Sequence, residues 1–243
     1  MDRQLFHRQF ATLGVVVLPV IHVQDEAQAR RNADIAIEEG AQGVFFINHD
    51  FPKEKLIPML GTLRAQNPSG WIGVNFLAVP GEIAFPILGD LAREGVVLDA
   101  YWADDARIDE RRDEDDQPEA DVGNARRAES GWKGLYFGGT AFKKQRPVPA
   151  EGLAASARIA RRYMDVVTTS GAATGIAADV SKIEMLRAAV GDAPLALASG
   201  VTVDNAAVYA PFVDAFLVAT GINHTGDFYN IDPARLRHLV SAC

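Results

Sequence analysis

DVVTTSG (Asp165–Gly171), LALASG (Leu195–Gly200) and DAFLVATG (Asp214–Gly221) are three apolar runs that each stop at a small hydroxyl residue followed by glycine. A strand that ends this way and feeds a helix leaves backbone N–H groups exposed at its C-terminal end, an arrangement suited to an anion or phosphate. Three in succession predict a parallel sheet with one functional edge.

Upstream of these runs, short β-branched segments alternate with helical patterns, the signature of βα units. The expected strands are Gly14–His22, Gly43–Asn48, Trp71–Leu77, Val96–Trp102 and Gly134–Phe142, followed by the three runs above. Glycines weaken the interior of the fifth. The first helix, between Asp25 and Gly40, places Ala29, Ala33, Ala36 and Ile37 on one face. Further helices fit about Pro52–Gln66, Gly81–Glu94, Glu119–Ser130 and Pro149–Arg162. Asp179, Thr202 and Asp232 are expected to cap the last three, with Ile183, Leu186 and Val190 facing the core and Pro233 at a first helical position.

Eight such units in 243 residues match a single-domain α/β (β/α)8 TIM barrel over residues 1–243, which typically needs about 250. Residues 1–12 form an N-terminal extension. A doubly wound open sheet is the alternative, but no G-x-G-x-x-G follows the first strand.

Hydrophobic residues make up 48% and charged residues 23%, a composition able to bury a core, so wholesale disorder is excluded. The net charge of −8 and the lack of clustered Lys and Arg argue against nucleic acid as a partner. Acidity is concentrated in residues 104–121, where ten acidic residues face three arginines. Such a run reads as a solvated, mobile loop, with a lid as the sharper reading. Cys243 is the single cysteine, so one chain holds neither a disulfide framework nor a thiolate metal site, and a reducing compartment fits. GVVVLPVIHV is far shorter than the roughly 20 residues of a membrane span. The expectation is a cytoplasmic, unprocessed protein with no membrane span; a homo-oligomer is compatible with this.

In a barrel, chemistry sits at the C-terminal strand ends, and phosphate is held most often after strands seven and eight. Ser199-Gly200 and Thr220-Gly221 stand there, and Ser170, Gly171, Thr174 and Gly175 occupy a longer loop after strand six. Glycine admits close approach of the ligand, and the helix dipole favours negative charge. The plainer reading is that Ser/Thr-Gly only makes the turn. The other strand ends carry His22, Asn48, His49, Asp50, Asn75, Lys143 and Lys144. Together they supply a general base, amide hydrogen bonds and a cation for an oxyanion. His22 is the expected acid/base, assisted by Asp50; Asn75 orients substrate, Lys143 stabilises an enolate or oxyanion, and Asn48 contacts ligand. No metal-ligand spacing such as H-E-x-x-H is present, so no metal is expected.

Three motifs, SGAATGIAAD (Ser170–Asp179), ASGVTVDN (Ala198–Asn205) and GDFYNIDP (Gly226–Pro233), resemble the BtpA/SgcQ family in order and spacing. Weaker matches extend to PVIH (Pro19–His22) and IGVN (Ile72–Asn75). The resemblance implies a TIM barrel that binds a ligand. Members include a factor needed for photosystem I accumulation and proteins encoded beside sugar-metabolism genes. By motif position His22, Asn75, Lys143, Ser170, Gly171, Thr174, Gly175, Asp179 and Gly200 correspond to residues typical of the family. This chain departs from it at Phe46-Ile47-Asn48, where the family has Val-Glu-Asn. It departs again at Gly139–Lys144, where D-V-H-V-K-H is usual and only the lysine survives. Asn223 replaces a basic residue, leaving His224 as the nearest substitute.

The expected function is a metal-independent, cofactor-free lyase or isomerase acting on a small phosphorylated, sugar-phosphate-like metabolite. The alternative is a non-catalytic binding or assembly factor that retains an anion pocket, which the missing carboxylate and histidine favour. A flavin-dependent barrel oxidoreductase is a third reading.

Overall fold

Alternation of side chains along each strand decides which residues fill the centre of the molecule. A computed structural model describes residues 1–243. Strands β1 (Val16–His22), β2 (Val44–Ile47), β3 (Ile72–Asn75), β4 (Ala100–Ala103), β5 (Leu135–Gly139), β6 (Val166–Ser170), β7 (Leu195–Ala198) and β8 (Ala215–Val218) pair in order. All pairings are parallel, and β1 also pairs with β8, with Val16 opposite Ala215, closing the barrel. Each strand is shorter than its apolar run in the sequence. Val96–Asp99, for example, precede β4 rather than belonging to it.

Helices α2 (Glu26–Glu38), α3 (Lys53–Gln66), α4 (Gly81–Arg93), α5 (Pro118–Ser130), α6 (Leu153–Tyr163), α7 (Val180–Val190), α8 (Val203–Tyr209) and α9 (Pro233–Ser241) alternate with the strands. The expected caps form: Asp179 accepts from Ser181 N and Asp232 from Ala234 N, while Thr202 and Asn205 make a reciprocal capping box. On α7, Ile183, Leu186 and Val190 are buried as expected. Helix α2 differs. Ile37 is exposed, and the amides Gln28 and Asn32 share the buried face with Ala29, Ala33 and Ala36. Counted from Ala29 and Ala33, Ile37 drifts off the stripe because 3.6 residues per turn is less than four.

Two apolar clusters follow from the alternation. Residues pointing outward from the barrel join the helices in one. Val16, Leu18, Val20, Phe45, Ile47, Trp102, Phe137 and Leu217 fill the barrel interior. Gly73 belongs to the interior because a Cβ there would fall 2.3 Å from the Phe45 ring.

Residues 1–12, expected as an extension, contain the helix α1 (Arg3–Gln9), capped by Asp2. Its Phe6 is fully buried in the interior cluster, with its ring centroid 6.2 Å from that of Phe137. Fully buried Asp214 anchors the helix, accepting from Arg3 Nε at 2.6 Å and meeting His7 Nε2 at 2.9 Å.

Asp214 also belongs to a repeated device at the N-terminal ends of even-numbered strands. It accepts from the backbone N–H of Leu195 on β7 and from Arg187 on α7. Asp165, before β6, likewise accepts from Tyr136 N on β5 and from Arg127 on α5. Asp99, before β4, takes Ile72 N on β3 and Arg64 on α3. Before β2, Gln42 accepts from Val17 N. Each carboxylate joins one strand's start to the preceding strand and helix, and the one that is fully buried, Asp214, is thereby paired and hydrogen-bonded.

Residues 104–117 form a loop, as expected, with specific side-chain contacts along it. Gln117 is buried and binds the backbone of Asp109 in both directions, accepting from its N and donating to its O. Glu110 pairs with Arg146, Glu114 with Arg158 and Asp115 with Arg162. The acids find arginines on α6 and on the loop before it. Asp121 is already in α5.

Candidate functional site

The alternation that fills the barrel also selects what reaches its mouth. Val16, Leu18 and Val20 point inward, so His22 does too; Gly73 leads to Asn75, and Ala100 and Trp102 lead to Asp104. All three polar residues are buried, at 7%, 0% and 6% exposure. His22 and Asp104 line a cavity together with His49, Lys143, Lys144 and Phe228. Val20, Ile47, Trp102 and Leu217 form its apolar part, and Thr174, Ser199 and Thr220 contribute hydroxyls.

Asn75 Nδ2 donates to Asp104 Oδ1 at 3.2 Å. Lys144 Nζ lies 3.9 Å from the other carboxylate oxygen. Burial raises the Asp104 carboxyl above its ordinary value, against the opposing pull of Lys144 and Asn75. Burial, followed by His49 and Lys143, lowers His22 to about 3, so its imidazole is neutral at physiological pH. Burial also lowers Lys143, opposed by Asp104. His22 Nδ1, Asn75 Oδ1, Trp102 Nε1 and Asp104 Oδ2 are buried, and no protein group hydrogen-bonds them. An unmet buried polar atom costs about 1–3 kcal/mol, so the mouth has unmet hydrogen-bonding capacity.

Phosphate was expected at the Ser/Thr-Gly turns, where glycine meets a structural demand. A Cβ on Gly171 or Gly200 would lie 2.2 Å from Ile176 O, and one on Gly221 would lie 2.0 Å from Val201 O. The absent side chains therefore let each loop nest on the next. Ser170 Oγ is engaged, accepting from Lys143 N and donating to Gly171 O. Ser199 has φ +73° and accepts from Gly175 N at 3.0 Å. Thr174 and Thr220 line the cavity. Lys182, which the sequence reading passed over, donates to Ala141 O and Ser170 O and ties the fifth and sixth loops together. Burial lowers it to about 8.

Two expected residues have other partners. Asn48 Nδ2 donates to Phe51 O and its Oδ1 accepts from Leu77 N, so both ends of the amide brace loop backbone. Asp50 is exposed, accepts from Tyr229 OH at 2.7 Å and pairs with His49, and it makes no direct hydrogen bond to His22. Conversely, Asp104 was hidden by the acidic run that follows it. Its signal was position, directly after VVLDAYWA and in phase with Trp102. Phe228 and Trp102 were also missed; both lay in apolar or motif context that carries no chemical signature.

No three or more His, Cys, Asp or Glu side chains are grouped to hold a metal ion. What the mouth offers is a buried carboxyl shifted upward, a neutral imidazole, a primary amide and two lysines. It can bind an anion and move a proton beside it.

Eight parallel strands closed by helices, with the polar cavity at their C-terminal ends, define a TIM-barrel protein. The BtpA family model matches residues 141–243, the C-terminal part of this chain. No curated protein sequence matches the chain. Solved structures share its fold. A tryptophan synthase alpha chain from Legionella pneumophila subsp. pneumophila has a TM-score of 0.67 and 14% identity, covering 100% of this chain and 97% of its own. A phosphoribosyl anthranilate isomerase from Thermus thermophilus has a TM-score of 0.60 and 14% identity, covering 93% and 96%. A native KDPGal structure has a TM-score of 0.64 and 14% identity, covering 95% of each chain. At these identities the likeness is one of fold. No helix is long and apolar enough to cross a membrane.

Proposed function

We propose that this chain is a TIM-barrel lyase or isomerase for a small phosphorylated metabolite, working by proton transfer with its own side chains. The observation that carries this reading is the convergence of His22, Asp104 and Lys143 on one cavity, with Asn75 hydrogen-bonded to Asp104. The barrel likeness to a phosphoribosyl anthranilate isomerase fits a phosphorylated substrate.

The phosphate would sit against Lys143, Lys144 and the hydroxyls of Thr174 and Thr220. Its charge offsets the lysines that disfavour the imidazolium, so substrate binding raises His22 towards a useful range. A base then removes a proton from carbon beside a carbonyl, and Lys143 stabilises the enolate oxygen. For isomerisation the proton returns to the neighbouring carbon. For elimination, the leaving oxygen departs with a proton from the acid. Asp104 is better matched to the acid/base role than a free carboxylate because its pKa is raised. Its buried carboxyl also stands in the half of the site where the family's strand-two carboxylate is missing.

Thermal shift with inorganic phosphate and a panel of phosphorylated sugars tests binding, and proton exchange of bound ligands in D2O followed by NMR tests chemistry. Expected are stabilisation that is lost in Lys143→Ala/Lys144→Ala and exchange that is lost in Asp104→Asn. No stabilisation across the panel overturns the reading. Binding without exchange identifies a non-catalytic anion-binding protein instead.

A further inference from the structure

We infer that Phe228 is a positioning residue for His22, and that residues 226–231 form a bracket, held by two buried amides of α2, that presses its ring onto the imidazole. The ring centroids are 3.9 Å apart at an interplanar angle of 32°. That contact covers a face of the one histidine at the barrel mouth that is itself buried. The inference rests on the reading of His22 as a working imidazole.

The GDFYN segment reads as the construction of this contact. Gly226 turns the chain at φ +79°. Asp227 Oδ1 accepts from the backbone N–H groups of Tyr229 and Asn230, and its Oδ2 accepts from Asn230 Nδ2 at 2.7 Å. The turn is thus locked by its own side chains, leaving Phe228 to project at its tip. Tyr229 OH then fastens the far side to Asp50.

Helix α2 supplies the register. Gln28 Nε2 donates both to His22 O at 3.1 Å and to Tyr229 O at 2.8 Å. One side chain therefore joins the backbone of the imidazole to that of the loop. Asn32 donates to the same Tyr229 carbonyl at 2.8 Å and accepts from Ile231 N at 3.0 Å. Gln28 and Asn32 are 3% and 1% exposed on a face otherwise built of alanines. Buried amides are costly unless fully hydrogen-bonded, and here nearly all their bonds go to this loop and to His22.

The consequence is control of the imidazole's hydration and tilt. Around His22 stand His49, with ring centroids 5.6 Å away, and Asp50, Lys143 and Lys144. Of these only Asp50 favours protonation, while the Phe228 ring lies over the imidazole as apolar cover. Removing the ring admits water and eases protonation.

NMR titration of His22 in the full chain reads this directly, without ligand or turnover. The wild type is expected to stay neutral down to about pH 4, consistent with its depressed value of about 3. In Phe228→Ala the midpoint should rise by about one pH unit or more as desolvation is relieved, while Phe228→Tyr should keep the wild-type midpoint. Gln28→Leu/Asn32→Leu retains Phe228 but releases the bracket, and should raise the midpoint in the same direction. Asp227→Ala, which changes no buried residue, should do likewise. An unchanged midpoint in Phe228→Ala overturns the positioning role. An unchanged midpoint in both bracket variants overturns the bracket. Failure of every phosphorylated ligand to bind would refute the proposed function and leave this result intact.

Discussion

Asn75 and Asp104 meet across the tops of β3 and β4, amide to carboxyl at 3.2 Å, and each keeps a buried oxygen that no protein group donates to. Two adjacent acceptors at the mouth call for donors. A proton on Asp104 supplies one, which agrees with the upward direction of its pKa. A hydroxyl-bearing ligand would supply others.

Asp104→Asn is expected to separate stability from activity. Because the folded pKa is raised above 3.8, ionisation opposes folding. That cost is absent below the unfolded pKa, grows through the interval between the two values, and is complete above the folded one. The variant should therefore melt above the wild type at pH 7, with the difference closing as pH falls below about 4. Activity should fall by roughly 10²–10⁴-fold if Asp104 is the acid/base. Melting curves across pH, paired with turnover, check both. A variant less stable at pH 7 would show that the carboxylate is instead a net stabiliser.

His22 produces the opposite edge of the pH profile. Its folded value lies near 3 against an ordinary 6.5, so the unfolded chain takes the proton first as pH falls. Stability from this residue is complete above pH 6.5 and is lost progressively down to about 3, at up to about 1.4 kcal/mol per pH unit. His22→Gln should flatten that part of the denaturation profile between pH 6.5 and 4. Identical slopes in the two proteins would exclude a buried neutral His22.

The barrel was legible because short apolar runs alternate with helical patterns along the whole chain, and because the caps Asp179, Thr202 and Asp232 act locally. Of the residues read from strand-end position, His22 and Lys143 line the cavity and Asn75 meets Asp104. Asp104 was lost among ten acids, although phase with Ala100 and Trp102 distinguishes it. Asn48 and Asn75 are the same residue type at corresponding strand ends. Which one braces a loop and which meets Asp104 depends on carbonyls contributed from other loops, and a single strand's sequence does not encode these. The bracket around Phe228 joins residues about 200 positions apart in sequence, a relation set by barrel closure.

At the opposite end of the barrel, Asp214 holds α1 through Arg3 and His7 while also receiving Arg187 and Leu195 N. Asp214→Ala should cost about 3–5 kcal/mol, because three basic side chains lose a buried partner. Phe6→Ala should cost a similar amount, about 3–5 kcal/mol, through the cavity it leaves below Phe137. Urea denaturation measures both. Proteolysis within residues 1–12 should accelerate for both variants. If the N-terminal segment stays protected, α1 is held by contacts other than these.

The glycines allow loop nesting and ligand contact to be told apart. Gly226 has φ +79° and nothing near its absent side chain, so Gly226→Ala should cost only the backbone strain, about 1 kcal/mol. Gly171 lies outside the left-handed region but faces Ile176 O at 2.2 Å, so alanine there meets a clash without that strain. Gly200 combines both, with φ +72° and the same carbonyl at 2.2 Å. Gly200→Ala should therefore be the most destabilising of the three, by about 2–4 kcal/mol. It should also displace Ile176 and with it Thr174 and the Gly175–Ser199 hydrogen bond, weakening phosphate binding. Melting temperature and phosphate affinity should fall together in Gly171→Ala and Gly200→Ala, whereas Gly226→Ala should lower the melting temperature by only about 2–4 °C and leave phosphate affinity unchanged. If Gly200→Ala loses phosphate with no loss of stability, the glycine contacts the ligand itself and nesting is secondary.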